Sequence, residues 1–244
     1  MTQPDQYDVI GELYERTKAL PVCRAETATL MSALPSLAGR SVLDVACGTG
    51  YYPRLFKRAG AGRVTGVDSS RVMISYASRV EEHDPLGISY EVSDAATLPR
   101  YGEFDVVTAV WLLGYAEGET ALDGMLTNLR ANLAEGGTFA ALVPNPEIDW
   151  DGLGILPRYG IAAQRTRDSK GRQGYAVRVE GDPPFEFEGY TWPPGVIESA
   201  MKRAGFTGVL RHDPVVPEPS DHPHDTGYWD ALFANPTFAV YSAR

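Results

Sequence analysis

Residues 42–50, Val-Leu-Asp-Val-Ala-Cys-Gly-Thr-Gly, restrict what this chain can fold into more than any other stretch. Val42, Leu43 and Val45 form the short apolar run that a strand buried on both faces needs. The run breaks into Gly48-Thr49-Gly50, and a helix is expected over 51–59. A strand, a glycine turn and a helix bring backbone N–H groups up to nucleotide-like ligands in α/β domains. A tight connection with no ligand reads the same way, because Gly-X-Gly alone is weak. A dinucleotide turn needs a third glycine, yet Pro53 occupies that position and the next glycine is Gly60. The pyrophosphate seat is therefore incomplete.

Two downstream acids restore the idea of a ligand. Val64-Thr65-Gly66-Val67-Asp68 is a second short strand ending 18 residues past Gly50, close to the spacing at which an acid meets ribose hydroxyls. Asp68 could instead cap the helix expected over 71–82, although Ser69 or Ser70 could cap it equally well. Ile88-Ser89-Tyr90-Glu91-Val92 alternates like a third strand and ends at Ser93-Asp94-Ala95. Asp94 could accept from an exocyclic adenine amine or could serve a turn.

Further strands are expected over 63–67, 87–92, 104–110 and 137–143, with a helix over 119–134 closed by Gly136-Gly137. Strands separated by helices imply a parallel sheet with right-handed crossovers. Before this core, helices are expected over 7–18 and 24–33, with Pro21 between them. After Pro144, segments 161–167, 174–180 and 184–190 read as antiparallel strands, with turns at Ser169-Lys170-Gly171 and Gly181-Asp182-Pro183. A helix over 194–204, a strand near 209–211, a Pro-rich loop over 213–236 and a strand over 237–242 complete the chain. Segment 145–190 is expected to cover the carboxyl edge of the sheet as a substrate cap, or merely to shield apolar surface.

The net charge of −10 argues against nucleic acid or an anionic membrane as partner. Only Arg165, Arg167, Lys170 and Arg172 cluster, on an expected hairpin. No run of 18 apolar residues and no N-terminal apolar segment occurs, which predicts a cytoplasmic protein. Cys23 and Cys47 cannot make a disulfide framework or a zinc site. His222-Pro223-His224, flanked by Asp221 and Asp225, lacks ordinary zinc spacing, so no metal is expected.

Together Asp44-Val45-Ala46-Cys47-Gly48-Thr49-Gly50, Asp68, Asp94 and Phe104-Asp105-Val106-Val107-Thr108-Ala109-Val110 resemble the class I S-adenosylmethionine-dependent methyltransferases, in order and spacing. The resemblance implies a Rossmann-like, seven-stranded, mostly parallel α/β sheet in a single domain. Within it, residues 1–36 would be an N-terminal helical lid and 37–144 the cofactor-binding core. Residues 145–192 would form the antiparallel cap, and 193–244 would return to the core. The cofactor would be S-adenosylmethionine, which has no pyrophosphate and leaves as S-adenosylhomocysteine. The glycine loop would touch its methionine part, Asp68 its ribose and Asp94 its adenine. The cofactor-binding residues expected on this basis are Tyr7, Tyr14, Asp44, Ala46, Cys47, Gly48, Gly50, Asp68, Ser69, Met73, Ser93, Asp94, Ala95 and Val110. Tyr14, in a Tyr-Glu pair, would lie near the sulfonium as a catalytic positioning group. The opening Tyr7–Glu15, paired with Asp84–Val92, looks like toxoflavin-type N-methyltransferases.

In such a displacement, proximity and desolvation supply most of the acceleration. No His lies in the core motifs, and Trp111-Leu112-Leu113-Gly114-Tyr115 after the fourth strand holds no carboxylate. The absence of a base favours a heteroaromatic nitrogen acceptor over a phenolic or carboxylate oxygen. A natural product or secondary metabolite is the expected substrate. Trp111, Tyr115, Asn145, Trp150, Trp192 and Tyr228 are the expected acceptor contacts, since aromatic faces suit flat rings and cations. A non-catalytic cofactor-binding regulator is the competing class. The protein is expected to be a monomer or a homodimer.

Overall fold

A computed structural model describes residues 13–168, 171–180, 183–218 and 226–244. Tyr7, the two turns at 169–170 and 181–182, and the His222/His224 segment lie outside the described residues. Seven strands form one sheet: β1 (Ser41–Val45), β2 (Arg63–Asp68), β3 (Ile88–Val92), β4 (Phe104–Val110), β5 (Leu133–Pro144), β9 (Leu210–His212) and β10 (Phe238–Ala243). Their order is β3-β2-β1-β4-β5-β10-β9. The pairs among β1 to β5 are parallel, and β10 runs antiparallel to both β5 and β9. The expected seven-stranded, mostly parallel α/β sheet is thus observed.

Both faces of the sheet are covered, which explains the continuous apolar strands. Val42, Val106 and Val240 enter one core with Phe56 and Trp229, while Leu43, Val107 and Tyr241 enter the other with Leu122 and Met201. The α-helices among the described residues are α1 (Leu13–Arg16), α2 (Pro21–Ser32), α3 (Tyr51–Arg58), α4 (Arg71–His83), α5 (Glu119–Ala131), α6 (Val196–Arg203) and α7 (Asp230–Ala234). A separate three-stranded sheet consists of β6 (Ile161–Arg167), β7 (Gln173–Val179) and β8 (Phe185–Tyr190), in the order β6-β7-β8.

Four expectations are corrected. Pro21 opens α2 instead of separating two helices, because a proline at the first helical position gives up only an N–H that would be unbonded anyway. The long helix ends at Asn132, not at Gly136-Gly137. Asn132 is fully buried; its side chain donates to Pro99 O and Asn128 O and accepts from Tyr101 N. Gly136, at φ +71°, sits within β5, where the register against β4 shifts. The segment after Pro144 begins with a 3-10 stretch, Trp150–Tyr159, before its strands. The Pro-rich loop holds α7, whose Leu232 is buried beside Trp229.

Gly50 caps α3 at φ +81°, and a Cβ there would collide with the Tyr90 hydroxyl. Gly50→Ala should therefore destabilise by about 1–2 kcal/mol from left-handed strain alone. Urea denaturation measures this loss, and an unchanged midpoint would contradict the assignment.

Candidate functional site

Strand order reverses at β1: the chain builds outward through β2 and β3, then returns to the other side with β4 and β5. Open α/β sheets bind ligands in the crevice beyond the carboxyl ends at such a switch point. A cleft of about 560 Å³ lies there. Ala46 and Gly48 line it from the loop after β1, Asp68, Ser69 and Met73 from the end of β2 and the start of α4. Ser93, Asp94 and Ala95 line it after β3, Val110 and Trp111 at the end of β4, and Tyr14 from α1. Among the described residues only Ala46 and Trp111 have positive φ without being glycine, at 64° and 58°. They follow the two strands of the switch point, and strain of this kind, about 1–3 kcal/mol per residue, gathers at functional sites.

Asp68 ties the glycine loop to β2. Its Oδ2 accepts from Gly48 N at 2.8 Å and its Oδ1 from Ser70 N at 2.9 Å. Ser70 caps α4, its Oγ accepting from Met73 N at 3.1 Å. The capping alternative thus falls to Ser70. Asp94 Oδ1 accepts from Ala96 N at 2.9 Å. A Cβ on Gly48, at φ +52°, would meet nothing within 4 Å, so that glycine leaves open space on the cleft wall.

Asp44 in β1, and Cys47 and Gly50 in the loop after it, do not line the cleft. Asp44 is fully buried; Oδ1 accepts from Thr108 Oγ1 at 2.6 Å, and Oδ2 has no partner among the described residues. Burial, with Asp68 nearby, pushes its pKa from 3.8 up to about 7 against the pull of the Thr108 hydrogen bond and Lys18. In the window between those values the folded chain holds a proton that the unfolded chain has released. Stability therefore falls as pH rises through that window. Asp44→Asn should flatten this fall in a pH series of chemical denaturation; an unchanged slope would contradict it.

A second, narrower chamber of about 70 Å³ adjoins the cleft, and Tyr14 and Trp111 line both. Its other walls are mostly apolar: Val22 from α2, Ile148, and Ile161, Val177 and Phe187 from the three-stranded sheet. Tyr14 packs edge-on against Phe187 at 5.7 Å, so α1 and that sheet close on each other. Burial first, then Cys23, Glu26 and Asp68, raise the Tyr14 pKa, so Tyr14 stays a neutral phenol.

The expected acceptor contacts divide. Trp111 and Trp150 line the chamber. Asn145 lines it too, but its amide donates to Pro236 O and accepts from Glu147 N and Arg211, which fixes the turn after β5. Tyr115 lines the cleft and donates to Glu188 O at 3.0 Å. Trp192 and Tyr228 line neither cavity. The Trp192 indole donates to Leu113 O at 2.8 Å, and the Tyr228 hydroxyl donates to Arg158 O at 2.6 Å. Both bind backbone carbonyls and brace the fold.

Sequence reading missed three groups. Glu15 accepts from Thr49 Oγ1 and pairs with Arg54 at 2.6 Å, and Arg54 also donates to Thr49 O at 2.7 Å. This clamp fastens α1, and with it Tyr14, to the glycine loop. Glu26, only 5% exposed, lines the chamber. Glu15 stands in the Tyr-Glu pair, but nothing local shows that it meets Thr49 and Arg54, and Glu26 stands in no motif; only the fold places them. The described residues contain no cluster of three or more His, Cys, Asp or Glu that could hold a metal, and no helix long and apolar enough to cross a membrane.

A sequence model described as "Methyltransferase domain" matches residues 42–137. The ubiquinone biosynthesis O-methyltransferase of Coxiella burnetii is 34% identical over 103 residues, 42% of each chain. The chain spans about half the length of the curated relatives it matches. The CcbJ methyltransferase of Streptomyces caelestis superposes with a TM-score of 0.68 at 20% identity, covering 96% of this chain and 95% of that one. An S-adenosylmethionine-dependent methyltransferase of Mesorhizobium loti superposes at 0.61 with 23% identity, covering 90% and 97%. At such identities the superpositions speak for the fold alone. The toxoflavin-type subgroup gains no support from these matches. Sequence match, fold and the acids at the ends of β2 and β3 agree: residues 42–137 match a methyltransferase domain, and the sheet around them has the fold of S-adenosylmethionine-dependent methyltransferases.

Proposed function

We propose that this protein transfers a methyl group from S-adenosylmethionine to a small, flat acceptor and releases S-adenosylhomocysteine. The observation that carries this reading is the pair of cavities meeting at Tyr14 and Trp111, one nucleoside-sized and bearing Asp68 and Asp94, the other mostly apolar. The cleft's donor set fits the cofactor. Asp68 offers carboxylate lone pairs to ribose hydroxyls, Asp94 accepts from an adenine amine, and the space over Gly48 admits the amino-acid end. Pro53 in place of a third glycine agrees with a ligand that lacks a pyrophosphate. Bound there, the cofactor supplies an electrophilic methyl group on a positively charged sulfur.

The remaining work belongs to the chain. Tyr14 and Trp111 hold the boundary between the cavities and offer ring faces to a cation. The apolar walls exclude water and align the acceptor. The sequence alone favoured nitrogen because it showed no base; Glu26 in the chamber removes that reason, so acceptors bearing N–H and O–H both fit. Calorimetric titration of the wild-type protein with S-adenosylhomocysteine tests the reading. Saturable binding is expected, and none at all would refute it.

A further inference from the structure

Resting on the function just proposed, we propose that Glu26 is the proton acceptor of the transfer, and that the acceptor is a neutral, flat molecule with an N–H or O–H directed at that carboxylate. Glu26 lies on α2, 5% exposed, in the wall of a chamber whose other lining is mostly aliphatic and aromatic. A carboxylate in apolar surroundings costs free energy unless it serves a partner. Its neighbours satisfy it only in part. The Lys18 ammonium, the Cys23 thiol and the Trp111 indole favour its charged form, yet burial outweighs all three and pushes its pKa from 4.5 up to about 7. That value suits a group that must be ionised to accept a proton and must hold it during the step.

Trp111 locates the group. It lines both cavities, so a carboxylate beside its indole stands where the cleft opens into the chamber. In the step, a bond forms between the acceptor heteroatom and the methyl carbon. The bond from that carbon to sulfur breaks and leaves its electron pair on sulfur, and the heteroatom's proton passes to Glu26, which becomes a neutral carboxylic acid. One positive and one negative charge are present at the start and neither remains at the end. An environment of low dielectric favours such a change. The same argument excludes anionic acceptors, which a buried carboxylate would repel. Thr237 Oγ1, buried without a partner among the described residues, gives the chamber a second polar contact for the acceptor.

Tyr14, Cys23, Tyr52 and Tyr175 also face Glu26, and burial raises the pKa of each, so all four stay protonated near neutrality. They leave Glu26 as the group in the chamber wall that titrates near pH 7.

The experiment measures binding of matched probes to the protein saturated with S-adenosylhomocysteine: phenol against anisole, and indazole against 1-methylindazole. Each pair has nearly one shape and differs in the X–H. The wild type should prefer the X–H member about tenfold, as a charge-assisted hydrogen bond predicts. That preference should appear as pH rises through about 7 and fade below it. In Glu26→Gln the preference should shrink and lose its pH dependence; Glu26→Met, which offers no oxygen, should abolish it. A preference in the phenol pair alone marks an oxygen acceptor, and one in the indazole pair alone marks a nitrogen acceptor. A preference that ignores both pH and the variants overturns the proposal, as does failure of both X–H probes to bind. Loss of S-adenosylhomocysteine binding in the wild type would instead overturn the underlying function.

Discussion

Asp68→Ala is expected to weaken S-adenosylhomocysteine binding by about 2–4 kcal/mol, the loss for two charge-assisted hydrogen bonds to buried hydroxyls. The structure adds a second route to the same loss. Asp68 also holds Gly48 N at 2.8 Å and Ser70 N at 2.9 Å, so the alanine variant loosens the glycine loop as well as the ribose contact. Asp68→Asn separates the two effects. Its amide oxygen can still accept from one backbone N–H, while the charge that strengthens the ribose bonds is gone. The asparagine variant should retain most of its thermal stability and still bind more weakly than wild type. Calorimetry and thermal denaturation on both variants decide the matter. Unchanged affinity in Asp68→Ala would remove Asp68 from the binding site.

The second large effect belongs to the clamp at Glu15. Arg54 is nearly buried, with 8% of its side chain exposed, and Glu15 at 24% is its carboxylate partner. Removing one member of a buried pair strands the other, at a cost of about 3 kcal/mol. Glu15→Ala should therefore lower stability and release α1 from Thr49, which takes Tyr14 off the cleft. Arg54→Ala should do the same, and the double variant should lose much less than the sum, because the pair acts as a unit. Denaturation midpoints and S-adenosylhomocysteine affinity, read in all three variants, form the cycle. Strict additivity would show that the clamp contributes nothing.

Much of the core was legible because its elements carry local signals. The apolar run of β1 and the glycines after it follow from residues adjacent in sequence, and β4 and α3 are equally local. The C-terminal end of α5 was misplaced for a different reason. Gly136-Gly137 has the appearance of a helix end, but Asn132 donates to the carbonyls of Pro99 and Asn128 and accepts from Tyr101 N, and no sequence window shows that. Trp192 and Tyr228 were assigned to the acceptor by their chemistry; their polar atoms are taken by the carbonyls of Leu113 and Arg158.

The cleft at the switch point was readable from the chain itself. A strand, its glycine turn and two acids at strand ends are short-range patterns, and their spacing follows from the geometry of one βαβ unit. The chamber beside it depended on folding. Glu26 on α2, Trp111 after β4 and Phe187 on β8 are separated by scores of residues, and nothing local marks them as neighbours. Only the packing of α1, α2 and the three-stranded sheet over the carboxyl edge makes them one chamber. Burial in that chamber, which no sequence position encodes, gives an ordinary glutamate a pKa near 7 and turns a base invisible in the sequence into a testable one.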